Sequence, residues 1–234
     1  MRAMLHNRDD SRKIARARMN PEDFIHANTG MMAPPLVPEI TLRLASEVVP
    51  LWRRTEEELQ EMGVPPPYWA FAWAGGQALA RYILDNPSIV AAKRVLDIGA
   101  GSGLVGIAAM KAGAAAVTAA DIDGFAAEAI AINADANGVT LKVATCNLIG
   151  GHAPWEVILV GDLFYERPLA EALLAWLRPL DALVLMGDPG RTYFPRTGVT
   201  RLSTYNVQTT RDLEDREIRE TSVYRLTRGE SLAE

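Results

Sequence analysis

The stretch that decides the fold is Val95-Leu96-Asp97-Ile98-Gly99-Ala100-Gly101-Ser102-Gly103. It begins as a short apolar run, which is the pattern of a buried parallel strand, and it ends in a glycine-rich turn. Such a turn between a strand and a helix lets a ligand approach the backbone closely and presents helix N-terminal amides to it. The stretch therefore predicts a ligand site at the end of the first strand of an α/β domain.

Strand and helix patterns alternate downstream of this turn as far as residue 186. Alternation at this spacing favours a doubly wound parallel sheet. The last two predicted strands have no obvious crossover helix between them, so they suit an antiparallel C-terminal edge. The predicted fold is an α/β domain with N-terminal helices and a seven-stranded, mostly parallel sheet, with strands at 94–98, 116–121, 141–145, 155–160, 182–186, 200–207 and 218–226.

Three segments are distinguished along the chain: residues 1–20, 21–92 and 93–230. The first is a basic arm, helical or disordered, with six Arg and Lys residues against two Asp residues. The second is a helical cap or substrate segment, in which residues 20–38 are expected to be loop and the apolar spacing over residues 38–62 predicts one or two helices. The third segment is the core domain.

The composition argues against several classes of protein. The net charge of −5 disfavours generic binding to nucleic-acid phosphates or to an anionic membrane. The single cysteine, Cys146, excludes an internal disulfide and a cysteine-based zinc site. Apolar stretches are too short to span a bilayer, and no signal-peptide core follows the first basic residues. We therefore expect a cytoplasmic, monomeric protein without a metal, nucleic-acid or membrane partner.

Two acidic residues narrow the class of ligand. Asp97 lies just before the turn, and Asp121 ends the second strand, where a ribose diol would lie. An acid beside the turn repels a pyrophosphate but suits the ammonium of S-adenosylmethionine, which favours the methyl donor over a nicotinamide cofactor. A dinucleotide spacing can also be read from Gly101 to Gly106, so a nicotinamide dehydrogenase stays an alternative.

These residues, followed by Ala120-Asp121-Ile122-Asp123, resemble the class I S-adenosylmethionine-dependent methyltransferases. The resemblance implies a Rossmann-like fold and S-adenosylmethionine as the cofactor. The resemblance implies that Gly99, Gly101 and Gly103 line the methionine end, that Asp121 holds the ribose, and that Ile122 and Asn147 contact the adenine. Asp97, from its charge, and Trp73 are also predicted to bind the donor.

A second motif, Asp162-Leu163-Phe164-Tyr165, stands at the predicted end of the fourth core strand. Its Asp-x-x-Tyr pattern resembles protein-lysine methyltransferases, whereas enzymes that methylate adenine or glutamine amides carry Asn-Pro-Pro-Tyr there. A lysine ammonium has no free lone pair and must lose a proton before it attacks a methyl group. We expect Asp162 and Tyr165 to be the catalytic residues, with Asp162 orienting the amine.

Aromatic side chains are expected to hold the amine by cation–π attraction. Trp69 and Phe164 are the predicted substrate-binding rings. Trp69 and Trp73 lie four residues apart, so packing in the core is an alternative for both.

Three further stretches resemble the bacterial type of electron transfer flavoprotein β-subunit lysine methyltransferases, namely Pro66–Gly76, Gly161–Glu166 and Gly187–Arg191. Members of that family methylate adjacent lysines of this β subunit, and some bacterial members also act on ribosomal proteins. The resemblance covers about residues 22–227 and implies a protein substrate. A small-molecule amine methyltransferase and a non-catalytic donor-binding module stay open as alternatives. Asp188-Pro189-Gly190-Arg191 either bounds the substrate cleft or forms a plain turn.

Overall fold

The computed structural model describes residues 20–46, 64–209 and 218–227. Predictions for the basic arm, for helix beyond residue 46 and for the family resemblance of residues 210–215 lie outside this part of the chain. The described residues form a small antiparallel pair and a seven-stranded sheet. The strands are β1 (Gly30–Met32), β2 (Leu42–Leu44), β3 (Arg94–Ile98), β4 (Ala116–Asp121), β5 (Lys142–Thr145), β6 (Val157–Gly161), β7 (Leu183–Asp188), β8 (Val199–Gln208) and β9 (Ile218–Leu226).

The large sheet has the strand order β5-β4-β3-β6-β7-β9-β8. Strands β3 to β7 pair in parallel, whereas β9 pairs antiparallel with both β7 and β8. The predicted doubly wound sheet and its antiparallel C-terminal edge are therefore confirmed. From β3 the chain adds β4 and β5 on one side of the sheet, and it then crosses over to add β6 and β7 on the other side of β3. A crevice forms at this reversal, between the ends of the strands.

Two of the described helices begin at residues whose side chains cap them. The side chain of Asn20 accepts the Glu22 amide at the start of the first helix, and Asp123 accepts the Phe125 amide at the start of the fourth. Within the described residues, none of the helices is long and apolar enough to cross a membrane. The helices are α1 (Pro21–Asn28), α2 (Ala74–Asp85), α3 (Leu104–Lys111), α4 (Gly124–Ala136) and α5 (Arg167–Leu177), with 3-10 turns at Tyr68–Ala70 and Pro87–Ile89.

The central strands are buried on both faces. Val157 and Leu159 of β6 pack on the side covered by α2, while Ile158 and Val160 pack on the side covered by α5. Successive side chains of a strand point to opposite faces, so a continuous apolar run is what a doubly covered strand requires. The same alternation places Asp97 of β3 on the side of α3.

Helix α2 lies unusually close to the sheet. A Cβ atom added at Gly75 would lie 2.3 Å from the carbonyl oxygen of Gly187, and one added at Gly161 would lie 3.1 Å from the Cα of Gly76. The glycines at positions 75, 161 and 187 therefore allow backbone-to-backbone contact between the start of α2 and the ends of β6 and β7. This contact brings the first amides of α2 to the edge of the sheet where a ligand site is expected.

The N-terminal segment differs from its prediction in two places. Residues 20–38 contain α1 and β1 rather than loop alone, and the described part of the predicted helix from residue 38 contains β2 instead. Side chains of α4 satisfy this extended backbone: Asn133 accepts the Arg43 amide at 2.7 Å, and Asn137 both accepts the Thr41 amide and donates to the Thr41 carbonyl. Tertiary hydrogen bonds of this kind outweigh a helical spacing of apolar residues, and local sequence does not reveal them.

Candidate active site

The sequence-predicted motifs meet at one edge of the sheet. The glycine turn follows β3, Asp121 ends β4, and Asp162 follows β6. Strand β3 lies between β4 and β6, so the three carboxyl ends are adjacent. This is the point at which the strand order reverses, where ligands bind in open α/β sheets.

Three glycines of the turn adopt left-handed backbone conformations. Their φ angles are +65° at Gly99, +52° at Gly101 and +81° at Gly103, a region that side chains with a Cβ rarely occupy. The Gly101 amide donates to Oδ2 of Asp121 at 2.9 Å, while Oδ1 of Asp121 accepts the Asp123 amide at 3.0 Å. Asp121 therefore links the turn to the end of the neighbouring strand, with lone pairs left on both oxygens for a hydroxyl ligand.

Asp97 is buried at the end of β3, against the first turn of α3. The carboxylate is buried, and its Oδ2 accepts the Gly106 amide of α3 at 2.8 Å. Burial raises the pKa of Asp97 to about 7. The contact ties the end of β3 to the start of α3, the two elements that the glycine turn connects. The contact between Asp97 and the methionine end of the donor stays a prediction.

The two residues predicted for adenine lie on the surface beyond β4 and β5. Ile122 is 77% exposed, which is a large exposure for an aliphatic side chain next to a buried strand. Asn147 is also exposed, and its Oδ1 accepts the Ile149 amide at 3.0 Å. Ile122 directly follows Asp121, and Asn147 follows Thr145, which pairs with Asp121 across β4 and β5. Together they offer an apolar surface and the NH2 donor of an amide. A nucleoside has the flat apolar face and hydroxyls that such groups complement.

Asp162 is held by backbone and side-chain contacts on several sides. Its φ of +61° is unusual for a residue other than glycine. Its amide donates to the Gly187 carbonyl at 2.9 Å, and its Oδ2 accepts the Gly75 amide at 3.0 Å. Because Gly75 lies in the first turn of α2, the helix dipole also favours the ionised carboxylate. Asp162 is thus a buried, oriented negative charge at the end of β6.

Arg191 is the partner that sequence reasoning did not identify. Its Nε donates to Oδ1 of Asp162 at 2.5 Å, and its guanidinium carbon lies 5.9 Å from the centre of the Trp73 ring. The turn that carries Arg191 is fixed by Oδ1 of Asp188, which accepts the Gly190 and Arg191 amides at 2.7 Å each. A signal was present in the sequence, because a basic residue shortly after β7 comes close to an acid at the end of adjacent β6.

Three aromatic side chains, Tyr68, Trp73 and Tyr165, form what we call the aromatic rim. The ring centres of Tyr68 and Trp73 are 6.1 Å apart, those of Tyr68 and Tyr165 are 5.8 Å apart, and Nε1 of Trp73 donates to the Tyr68 carbonyl. Tyr68 and Tyr165 are 45% and 40% exposed. Partial burial of its phenol, together with Tyr68 and nearby acids, raises the pKa of Tyr165 to about 12, so it stays a neutral hydroxyl.

The two predicted substrate-binding rings lie in the core instead. Trp69 is 1% exposed, stacks on Phe125 and meets the edge of Phe24. Phe164 is fully buried and packs edge-to-face on Phe194. The core-packing alternative therefore describes Trp69, and neither ring is accessible to a substrate amine. The structure brings Trp73, by contrast, to the aromatic rim beside Arg191.

Comparisons with known proteins identify sequences related to this chain. Residues 77–160 match the family described as "Ribosomal protein L11 methyltransferase (PrmA)". The electron transfer flavoprotein beta subunit lysine methyltransferase of Xenopus laevis is 45% identical over 187 residues, which are 77% of this chain and 75% of that protein. The protein of the same name from Danio rerio is 42% identical over 187 residues, 77% of this chain and 71% of the relative.

A solved structure extends the comparison to the fold. Magnesium protoporphyrin IX methyltransferase from Synechocystis PCC 6803, solved with bound S-adenosylmethionine, superposes with a TM-score of 0.50 at 15% identity and covers 66% of this chain and 80% of that chain. This likeness confirms the predicted Rossmann-like methyltransferase fold, while the sequence matches confirm the predicted enzyme class. The chain belongs to the electron transfer flavoprotein β-subunit lysine methyltransferase family of class I S-adenosylmethionine-dependent methyltransferases.

Proposed function

We propose that this protein transfers methyl groups from S-adenosylmethionine to lysine side chains of the electron transfer flavoprotein β subunit. The observation that carries the proposal is the Asp162 carboxylate, oriented by the Gly75 amide and flanked by the aromatic rim at the edge of the sheet that also carries the glycine turn. Two relatives that are 45% and 42% identical are named for this activity.

The donor fits the chemistry of the residues around the glycine turn. When bound, S-adenosylmethionine supplies a methyl carbon that its sulfonium makes electrophilic. We assign Gly99, Gly101 and Gly103 to its methionine end, because these three positions of the turn have no Cβ atom to keep a ligand from the backbone. The remaining lone pairs of Asp121 can accept the ribose hydroxyls, and Ile122 and Asn147 can contact the adenine.

The chain's own residues prepare the nucleophile. A lysine ammonium has a pKa of about 10.4 in water, so it must release a proton to solvent before its nitrogen can attack. The Asp162 carboxylate accepts a hydrogen bond from the nitrogen and orients its lone pair, and the aromatic rim surrounds the alkyl chain and limits access of water. The carbon–nitrogen bond then forms as the carbon–sulfur bond breaks. Tyr165, as a neutral phenol, can add a hydrogen bond to this site.

The proposal is tested with purified proteins and methyl-labelled donor. Wild-type enzyme should label recombinant β subunit, and the label should disappear when the modified lysines, located by mass spectrometry, are replaced by arginine. Label confined to small amines from a cell extract would point instead to a small-molecule methyltransferase. Donor binding by calorimetry without transfer to any protein would point to a non-catalytic module.

Ribosomal protein L11 is a second candidate substrate. The match of residues 77–160 to the L11 methyltransferase family is the observation that favours it. The two proteins should be compared in the same assay at equal concentration. The cytoplasmic location, the monomeric state and the lack of nucleic-acid and membrane partners stay predictions from composition.

A further inference from the structure

The Asp162–Arg191 ion pair lies at the place where the substrate amine is expected to bind. The group proposed to receive the substrate nitrogen is the Asp162 carboxylate, and the aromatic rim beside it contains Trp73. In the structure the Arg191 guanidinium bonds to this carboxylate and lies over the Trp73 ring. The side chains of Arg191 and Asp162 are only 19% and 4% exposed, so solvent screens their interaction weakly. A permanent positive charge therefore lies where the reacting nitrogen is expected.

An unpaired carboxylate would oppose the reaction at this place. A buried negative charge favours the charged form of an adjacent amine and raises the pKa of that amine. The lysine would then bind well as an ammonium, but its nitrogen would hold no free lone pair. A carboxylate that is already neutralised by a guanidinium can still accept a hydrogen bond, because each of its oxygens has more than one acceptor position.

We propose that Arg191 is a positioning residue that neutralises Asp162, so that the carboxylate orients the substrate lysine without stabilising its protonated form. This inference rests on the proposed function. The ammonium passes its proton to solvent, and the nitrogen lone pair that this frees forms the new bond to the methyl carbon. Arg191 neither gives nor takes a proton in this sequence, since its guanidinium stays charged throughout the physiological range.

The surrounding elements hold this arrangement in place. Asp188, at the end of β7, accepts the Gly190 and Arg191 amides and so fixes the start of the arginine side chain. The Gly75 amide, at the start of α2, occupies the other carboxylate oxygen of Asp162. Arg191 and Asp162 are thus oriented by contacts with two different elements, as expected of a preorganised pair rather than of a surface contact.

Other titratable groups lie near the pair, and their contributions to the pH dependence of the rate must be distinguished from that of the substrate lysine. Tyr68, Tyr165 and Glu166 lie on the side of the aromatic rim, and Asp121 comes from β4. Tyr165 stays neutral because its pKa is raised to about 12, with Asp121, Glu166 and Asp162 among the causes. Asp188 is different, because burial raises its pKa to about 7, within the range of an activity assay. A variant at Asp188 is therefore part of the experiment.

The experiment compares the pH dependence of methylation in wild type, Arg191→Gln, Arg191→Lys and the control Arg196→Gln. Arg196 is exposed and follows Arg191 in the same connection between β7 and β8. Initial rates are measured on the β subunit at saturating donor. For Arg191→Gln we expect kcat to fall about tenfold near neutral pH and to recover at alkaline pH, since one unit of pKa corresponds to a tenfold change in neutral amine. KM for the β subunit should stay unchanged or decrease.

The other variants distinguish an effect of the Arg191 charge on the substrate amine from other causes. Arg191→Lys preserves the charge and should lie between wild type and Arg191→Gln, whereas Arg196→Gln should follow the wild-type profile. The alkaline shift should persist in the Arg191→Gln/Asp188→Asn double variant, because it originates in the substrate amine. Thermal unfolding identifies any variant that fails to fold. If Arg191→Gln does not fold, the pH profile of Arg191→Lys is compared with that of wild type instead.

The inference and the proposed function fail in different ways. If wild type does not methylate lysine, the proposed function is wrong. If wild type is active and Arg191→Gln loses activity equally at every pH, or raises KM with an unshifted profile, Arg191 has only a structural role and the inference is overturned. A shift that vanishes in the double variant would overturn it as well, because Asp188 would then be its source.

Discussion

At the scale of single residues, Asp162 shows how a site departs from the regular pattern of its strand. Val160 packs on the face of the sheet covered by α5, whereas Asp162, two residues later, bonds to Gly75 at the start of α2. Two residues of a regular strand would share a face. The positive φ of Asp162 breaks this alternation at a cost of about 1–2 kcal/mol, offset by hydrogen bonds that the turned carboxylate and amide make.

Replacing Asp162 by alanine should abolish methyl transfer while donor binding stays largely intact. The variant loses the group that orients the amine, and we expect a decrease in kcat of at least about a hundredfold. The hydrogen bonds that join Asp121 to the glycine turn and to the Asp123 amide do not involve Asp162, so affinity for the donor should change little. Glu171→Ala, which removes an exposed acid on α5, is the matched control. Undiminished transfer by the Asp162 variant would remove the proposed role.

Asp121 should govern donor affinity rather than the chemical step. Asp121→Ala removes the acceptor proposed for the ribose hydroxyls and also frees the Gly101 amide from its partner. Loss of a charged hydrogen bond of this kind reduces the binding free energy by about 1.5–3 kcal/mol, which raises the dissociation constant roughly tenfold to hundredfold. Calorimetry with S-adenosylmethionine measures this dissociation constant. The control is Asp135→Ala, which removes an exposed acid of α4. Equal affinities in the two variants would contradict the assignment.

At the scale of elements, the contact between α2 and the sheet depends on one of two neighbouring glycines. A Cβ at Gly75 would lie 2.3 Å from the Gly187 carbonyl oxygen and 2.9 Å from the Asp162 amide, whereas the nearest atom to a Cβ at Gly76 is 3.9 Å away. Backbone atoms cannot yield to such an overlap without moving the helix. The position of α2 therefore also determines the hydrogen bond between Gly75 and Asp162.

The pair of variants Gly75→Ala and Gly76→Ala separates packing from helix propensity. We expect Gly75→Ala to lower the free energy of unfolding by at least about 2 kcal/mol through overpacking. Gly76→Ala should raise it by about 0.5–1 kcal/mol, because alanine is the better helix former and its Cβ has room. Urea denaturation measures both changes. Similar stabilities for the two variants would show that the helix shifts without cost.

At the scale of the whole molecule, two buried acids make stability depend on pH. Burial raises the pKa of both Asp97 and Asp188 from 3.8 to about 7. The folded state therefore binds more protons than the unfolded state between these values, and the free energy of unfolding decreases as pH rises through that window. The lowered pKa values of Glu39 and Glu156 have the opposite sign but act below 4.5.

We expect the Tm of the wild-type protein to fall as pH is raised from the lower to the upper end of that window. Each buried acid contributes at most about 1.4 kcal/mol per pH unit. Asp188→Asn cannot titrate, so the change in its Tm across the window should be smaller than in wild type, whatever its stability at a single pH. Calorimetry in buffers of constant ionic strength tests this. An identical slope in the variant would show that Asp188 does not carry the effect.

The glycine turn, the succession of strands and helices along the chain, and the places of Asp121 and Asp162 at strand ends follow from local patterns in the sequence. Apolar runs, glycine spacing and the acid at a strand end are short-range signals, and the rules for parallel sheets bring their carboxyl ends together. Only the tertiary structure decided what each side chain contacts. It buried Trp69 and Phe164, turned Asp97 beneath α3, formed β2 against Asn133 and paired Arg191 with Asp162. These outcomes depend on contacts between residues that are distant in the chain, where packing and hydrogen bonding outweigh local preference.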